Sequence, residues 1–129
     1  MFSRAQRALR ISCLLYFVLV AANYVAAALE QEKFPTAPQM APTASPIYAA
    51  GSSLALLGVL IATLGLLAKK RWAAYGHVAS TALMVAFCFP GEVVLAGGPR
   101  ALVSTAIYVL TGIIYGLAFF TDALVAPED

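Results

Sequence analysis

Acidic residues are scarce in this chain: six among 129, beside eight lysines and arginines, one histidine and two cysteines. Their positions exclude more than their number does. Glu30, Glu92 and Asp122 each stand at the edge of a long uncharged run, and no carboxylate lies deep inside one. Proton-coupled export normally depends on an ionisable group buried at membrane depth, so that class of transporter is not expected. The lack of a Cys-x-x-Cys pair removes quinone-linked disulfide oxidases, and a Gly-rich phosphate loop is missing as well. The single histidine, His77, has no deep acid beside it to complete a catalytic pair. Enzymatic chemistry is therefore not expected, and neither a cofactor nor a metal site is read. A net charge of +2 is too small to call for nucleic acid as a partner.

Polar surface is also scarce. Hydrophobic residues make up 62% of the chain and charged ones 11%, too little to give a soluble domain its polar skin. The charges enclose long gaps: 19 residues between Arg10 and Glu30, 20 between Arg71 and Glu92, and 21 between Arg100 and Asp122. A fourth gap, Lys33 to Lys69, is broken by Pro35, Pro38, Pro42 and Pro46, which leaves 47–68 as a clean apolar run. About 20 helical residues cross a hydrocarbon core of roughly 30 Å. The expected fold is all-α: an integral membrane four-helix bundle in one domain, 1–129, with spans at about 11–29, 47–68, 72–89 and 101–121. The Pro-rich segment 30–46 reads as an extended connector. Barrel strands are excluded, because they are short and alternate in polarity.

Cations set the orientation. Arg4, Arg7 and Arg10 precede the first span and Lys69, Lys70 and Arg71 follow the second, whereas the other connections carry only Lys33 and Arg100. The positive-inside rule then places both termini inside. The first run also has the features of a signal peptide cleaved after Ala28, or of a mitochondrial presequence. Its length to Leu29 favours a retained span. The compartment stays open between a bacterial inner membrane and an organellar inner membrane.

Small residues mark the packing faces. Gly51, Ala55, Gly58, Ala62 and Gly65 recur at spacings of four and three, one face of a helix where backbones can approach closely. Gly112 and Gly116 form a second, shorter motif, expected as a seam within the chain, with Ser104, Tyr108, Thr111 and Tyr115 on much the same side. Cys13, Tyr16, Val20, Asn23 and Ala27 share a face of the first span, and Asn23 needs a hydrogen-bonding partner in lipid. His77, Thr81, Met84 and Cys88 share a face of the third. His77 and Met84 are about 10 Å apart on one helix and cannot ligate a single iron. Cys13 and Cys88 lie at different depths, too far apart for a disulfide within the chain. Glu92 and Arg100 are expected as a rim ion pair.

At the stretch AKKRWAAYGHVASTAL, Lys69, Lys70 and Arg71 read as topology anchors and Trp72 and Tyr75 as an interfacial aromatic belt. His77 is expected about 7 Å into the span, shallow enough to meet headgroups or water. His77→Ala should then cost little stability.

The function expected from these features is that of a non-catalytic accessory, scaffolding or assembly subunit of a larger membrane complex, its partners being membrane lipids, other membrane subunits or itself. Two alternatives follow from particular residues. An oligomeric channel or small-solute transporter would form around Tyr108, Thr111 and Tyr115. A lipid- or quinone-binding protein would hold a headgroup at Trp72, Tyr75 and His77.

Overall fold

A computed structural model describes residues 3–33, 46–88 and 98–125. These residues form a helical bundle with no strand among them: α1 (Arg4–Lys33), α2 (Pro46–Leu67), α3 (Arg71–Cys88), α4 (Gly98–Phe120) and a closing 3-10 turn (Asp122–Leu124). Three helices are long and apolar enough to cross a membrane, over Arg4–Leu29, Ala50–Leu67 and Arg100–Phe120. The exterior agrees with that solvent. Ile11, Leu14, Val18, Leu54, Leu57, Ile61, Leu102 and Val109 are all exposed, an apolar coat that a soluble protein of this size does not carry.

α3 departs from the expectation of four equal spans. Within its 18 residues it carries Arg71, Trp72, Tyr75, His77, Ser80 and Thr81, and these polar and amphipathic groups leave it shorter and less apolar than α2 and α4.

α1 is longer than the uncharged run that announces it. Its start is fixed by a reciprocal capping box: the Ser3 hydroxyl accepts from the Gln6 N–H at 3.1 Å, and the Gln6 carbonyl oxygen accepts from the Ser3 N–H at 3.2 Å. Charge does not end a helix, so Arg4, Arg7 and Arg10 lie within α1. At the other end Glu30 to Lys33 are good helix formers and continue it, which shortens the connector expected from residue 30. Residues 34–45 of that connector, and Glu92 of the expected rim ion pair, lie outside the described residues.

α2 and α3 form a tight antiparallel hairpin along the small-residue stripe. A Cβ added to Gly51 would stand 2.5 Å from the Phe87 ring, one on Gly65 would stand 2.7 Å from the Ala73 Cβ, and one on Gly58 would collide with the Ser80 hydroxyl. Each step of seven along α2 is answered by a step of seven back along α3. The helices therefore stay in contact at one register from end to end. The turn between them closes with a Schellman motif: the Lys69 N–H donates to Leu66 O at 3.0 Å and the Lys70 N–H to Gly65 O at 2.9 Å. Lys69 sits at φ 57° in the left-handed position that usually takes glycine.

The second pair is α1 with α4, and the closing turn folds back onto the start of α1. The Gln6 side-chain amide donates to Val125 O at 3.1 Å, and Lys69 Nζ donates to Gln6 Oε1 at 3.4 Å. Gln6, which sequence reading did not single out, thus ties the start of α1, the α2–α3 turn and the closing turn together at one basic end of the bundle. The packed core lies toward this end, where Leu9, Cys13, Leu66, Ala73, Ile114 and Leu124 meet.

Candidate functional site

The interior changes character midway along the bundle. Near the middle, His77 is fully buried, wedged between Tyr16 and Tyr115 with ring centroids 5.4 and 5.5 Å away. The Tyr115 hydroxyl is the centre of a small polar network. It donates to Thr81 Oγ1 at 3.0 Å and lies 3.2 Å from His77 Nδ1. If the phenol proton goes to Thr81, Nδ1 carries the proton that Tyr115 accepts, and Nε2 is left with a bare lone pair. Nε2 is buried and has no hydrogen-bond partner among the described residues. His77 is therefore turned into the bundle and away from its surface. The helix turns it inward, and its distance from the end of α3 measures depth along the axis rather than access to water.

Beyond this aromatic layer a half-open cavity of about 380 Å³ lies between the two helix pairs. Its wall is layered. At the deep end stand Tyr16, Thr81 and Thr111. A turn further on, Val20, Leu56, Met84 and Ile107 form an apolar girdle. Above it lie Asn23, Ser104, Ser52 and Ser53. Ser104 donates to Asn23 Oδ1 at 3.2 Å, a bond between α1 and α4. That bond uses the oxygen of Asn23 and not its amide N–H groups, and Asn23 itself lines the cavity. Among the described residues, no lysine, arginine, aspartate or glutamate lines the wall.

A search of known protein families, curated proteins and solved structures finds no match to this chain. The geometry must carry the functional reading alone.

Several residues singled out in the sequence meet at this site and others do not. Asn23 and Tyr108 lie on the cavity wall, and Tyr115 and His77 lie directly beneath it. Trp72 and Tyr75 point outward near the basic end; Trp72 covers Gly65 and Gly76, and Tyr75 stacks edge-on against Phe119 at 5.4 Å. The expected headgroup site at Trp72, Tyr75 and His77 is therefore not assembled, because His77 faces the opposite way from the other two. The outward polar face expected of Tyr108, Thr111 and Tyr115 is not assembled either. Thr111 is buried and returns its proton to Ile107 O at 2.8 Å, while Tyr115 bonds inward to Thr81.

The glycine pair of α4 also differs from expectation. Around Gly112 and Gly116, no atom of the described residues lies within 4 Å of where a Cβ would stand. Among the described residues they form no seam. α4 packs on α1 through Leu110, Ile114 and their neighbours, and the glycines lie on another side of the helix. Ser52, Ser53 and Leu56 are among the cavity residues that gave no sequence signal. In span two the small-residue stripe drew attention to the neighbouring face.

Proposed function

We propose that this chain is a non-catalytic accessory, scaffolding or assembly subunit of a larger membrane complex, docked to a partner helix through the free side of α4. The observation that carries this reading is the open space over Gly112 and Gly116. Each glycine inside a helix costs roughly 1 kcal/mol relative to alanine, and no described residue of this chain uses the flat surface they create. In lipid, association between helices depends on close backbone approach. The stripe continues through exposed Thr105, Val109 and Phe120, enough length for a second helix to follow.

The bundle is a multi-pass protein of a bacterial or organellar inner membrane, with four spans and both termini inside. α3 counts as the fourth span because it stays in one register with α2 from Gly65 to Gly51, so it shares the depth of a helix that crosses. Clustering of the basic residues at the end where Gln6, Lys69 and Val125 meet supports the orientation. The place of Leu9, Cys13 and Tyr16 in the core supports a retained α1.

Extraction from the native membrane in a mild detergent tests the reading. A membrane-protein partner should co-purify in fixed stoichiometry. Recovery of a lone, monodisperse chain would count against it.

A further inference from the structure

We infer that the cavity between the α1–α4 pair and the α2–α3 pair is a binding site for an uncharged, lipid-soluble molecule whose ring-sized head carries hydrogen-bonding oxygens on opposite edges, the quinone–quinol class. The layering of the wall makes the case. Polar groups lie at the two ends, and the girdle between them is apolar. Tyr16 and Asn23 are seven residues apart on α1, so the two polar ends are separated by about 10 Å along the axis. That span accommodates one ring, with a hydrogen bond of about 2.9 Å at each edge. The ring faces would rest against Leu56, Met84 and Ile107, where sulfur and aliphatic carbon suit an aromatic surface.

The donors are placed for such a head. Asn23 offers amide N–H groups at the upper end, and the hydroxyls of Thr81 and Tyr16 lie at the lower one. A hydroxyl can donate to a carbonyl or accept from a phenol, so the lower end suits both the quinone and the quinol form.

The wall also argues against other occupants. Holding a phosphate or a carboxylate at this depth without a cation would leave a buried charge unpaired, and the wall supplies none. A volume of about 380 Å³ falls at the small end of the roughly 300–1,000 Å³ typical of ligand sites. It takes the head of such a molecule and leaves the tail to the surrounding lipid.

The site lies inside one protomer, apart from the free side of α4, and its test is independent of assembly. The full chain, in a mild detergent or in nanodiscs, is titrated with decylubiquinone, with n-decylbenzene as the matched apolar probe. Saturable binding of decylubiquinone near one per chain is expected, and weak or unsaturable binding of decylbenzene. Asn23→Leu and Thr81→Val should each weaken decylubiquinone binding about five- to tenfold, the size of one lost hydrogen bond. Val20→Phe, which fills the girdle, should abolish binding while the thermal midpoint stays level or rises. Gly112→Leu should leave it unchanged. Equal binding of the two probes would overturn the inference, as would full decylubiquinone affinity in the Val20→Phe chain. Retention of an anionic phospholipid in place of decylubiquinone would overturn it too.

Discussion

His77 and Tyr115 show what a polar side chain costs and contributes inside this bundle. His77 has no exposed surface, and two of the groups around it, Tyr115 and Thr81, are satisfied largely through one another. Truncating His77 to alanine removes packing from between two aromatic rings and one member of the network. The expected destabilisation is about 2–4 kcal/mol, well above what a position at the membrane edge would show. Tyr115→Phe keeps the ring and removes only the hydroxyl, and hydrogen bonds within membrane bundles average about 0.6 kcal/mol with a maximum near 1.7. Leu57→Ala on the lipid-facing side should fall within about 0.5 kcal/mol. Reversible unfolding in mixed micelles, read by circular dichroism, would rank the three. A His77→Ala effect as small as that of Leu57→Ala would contradict the buried placement.

At the scale of elements, the glycines of α2 and α4 look alike in sequence and differ in surroundings. Gly65 faces the Ala73 Cβ, which has no rotamer to move into, so Gly65→Ala must push α2 and α3 apart. About 1–3 kcal/mol of destabilisation is expected. Gly58→Ala meets the Ser80 hydroxyl most closely and the Ser80 Cβ at 3.1 Å, so it should cost less, with Ser80→Ala relieving the closer of the two contacts. Helix thermal midpoints in detergent would reveal that order, and a Gly65→Ala chain as stable as the parent would contradict the hairpin register. The helices and the α2 stripe were legible in the sequence because lipid imposes length and apolarity on a span, and close packing imposes small residues. What α4's glycines face was not legible. A small-residue motif says that two backbones can approach, and nothing in it says whose. The cavity was equally hidden, since it depends on where the two pairs separate. Among its polar residues, Asn23 gave the sharpest signal, through the cost of an amide in lipid.

For the molecule as a whole, the number of crossings decides which side each terminus lies on. The proposed four spans would place the start of α1, the α2–α3 turn and the closing turn on one side, in keeping with the contacts among Gln6, Lys69 and Val125; three would part the termini. In a cysteine-free background, Arg4→Cys, Lys70→Cys and Val125→Cys should react with a membrane-impermeant maleimide from the same side, and Pro46→Cys from the other. Labelling of the Arg4 and Val125 positions from opposite faces would remove α3 as a span. The core toward the basic end and the cavity toward the other also divide the work of the bundle. One half holds the helices together, and the other leaves room for a guest.

The assembly role rests on the free side of α4, and a paired measurement tests it most directly. Native mass spectrometry of the parent chain and of a Gly112→Leu, Gly116→Leu double variant would follow mild extraction of both from the native membrane. Both positions face open space within the chain, so the variant should fold with an unchanged thermal midpoint. The parent should appear with a stoichiometric partner and the variant at the mass of the chain alone. A variant that keeps its partner, or a parent that has none, would contradict the account.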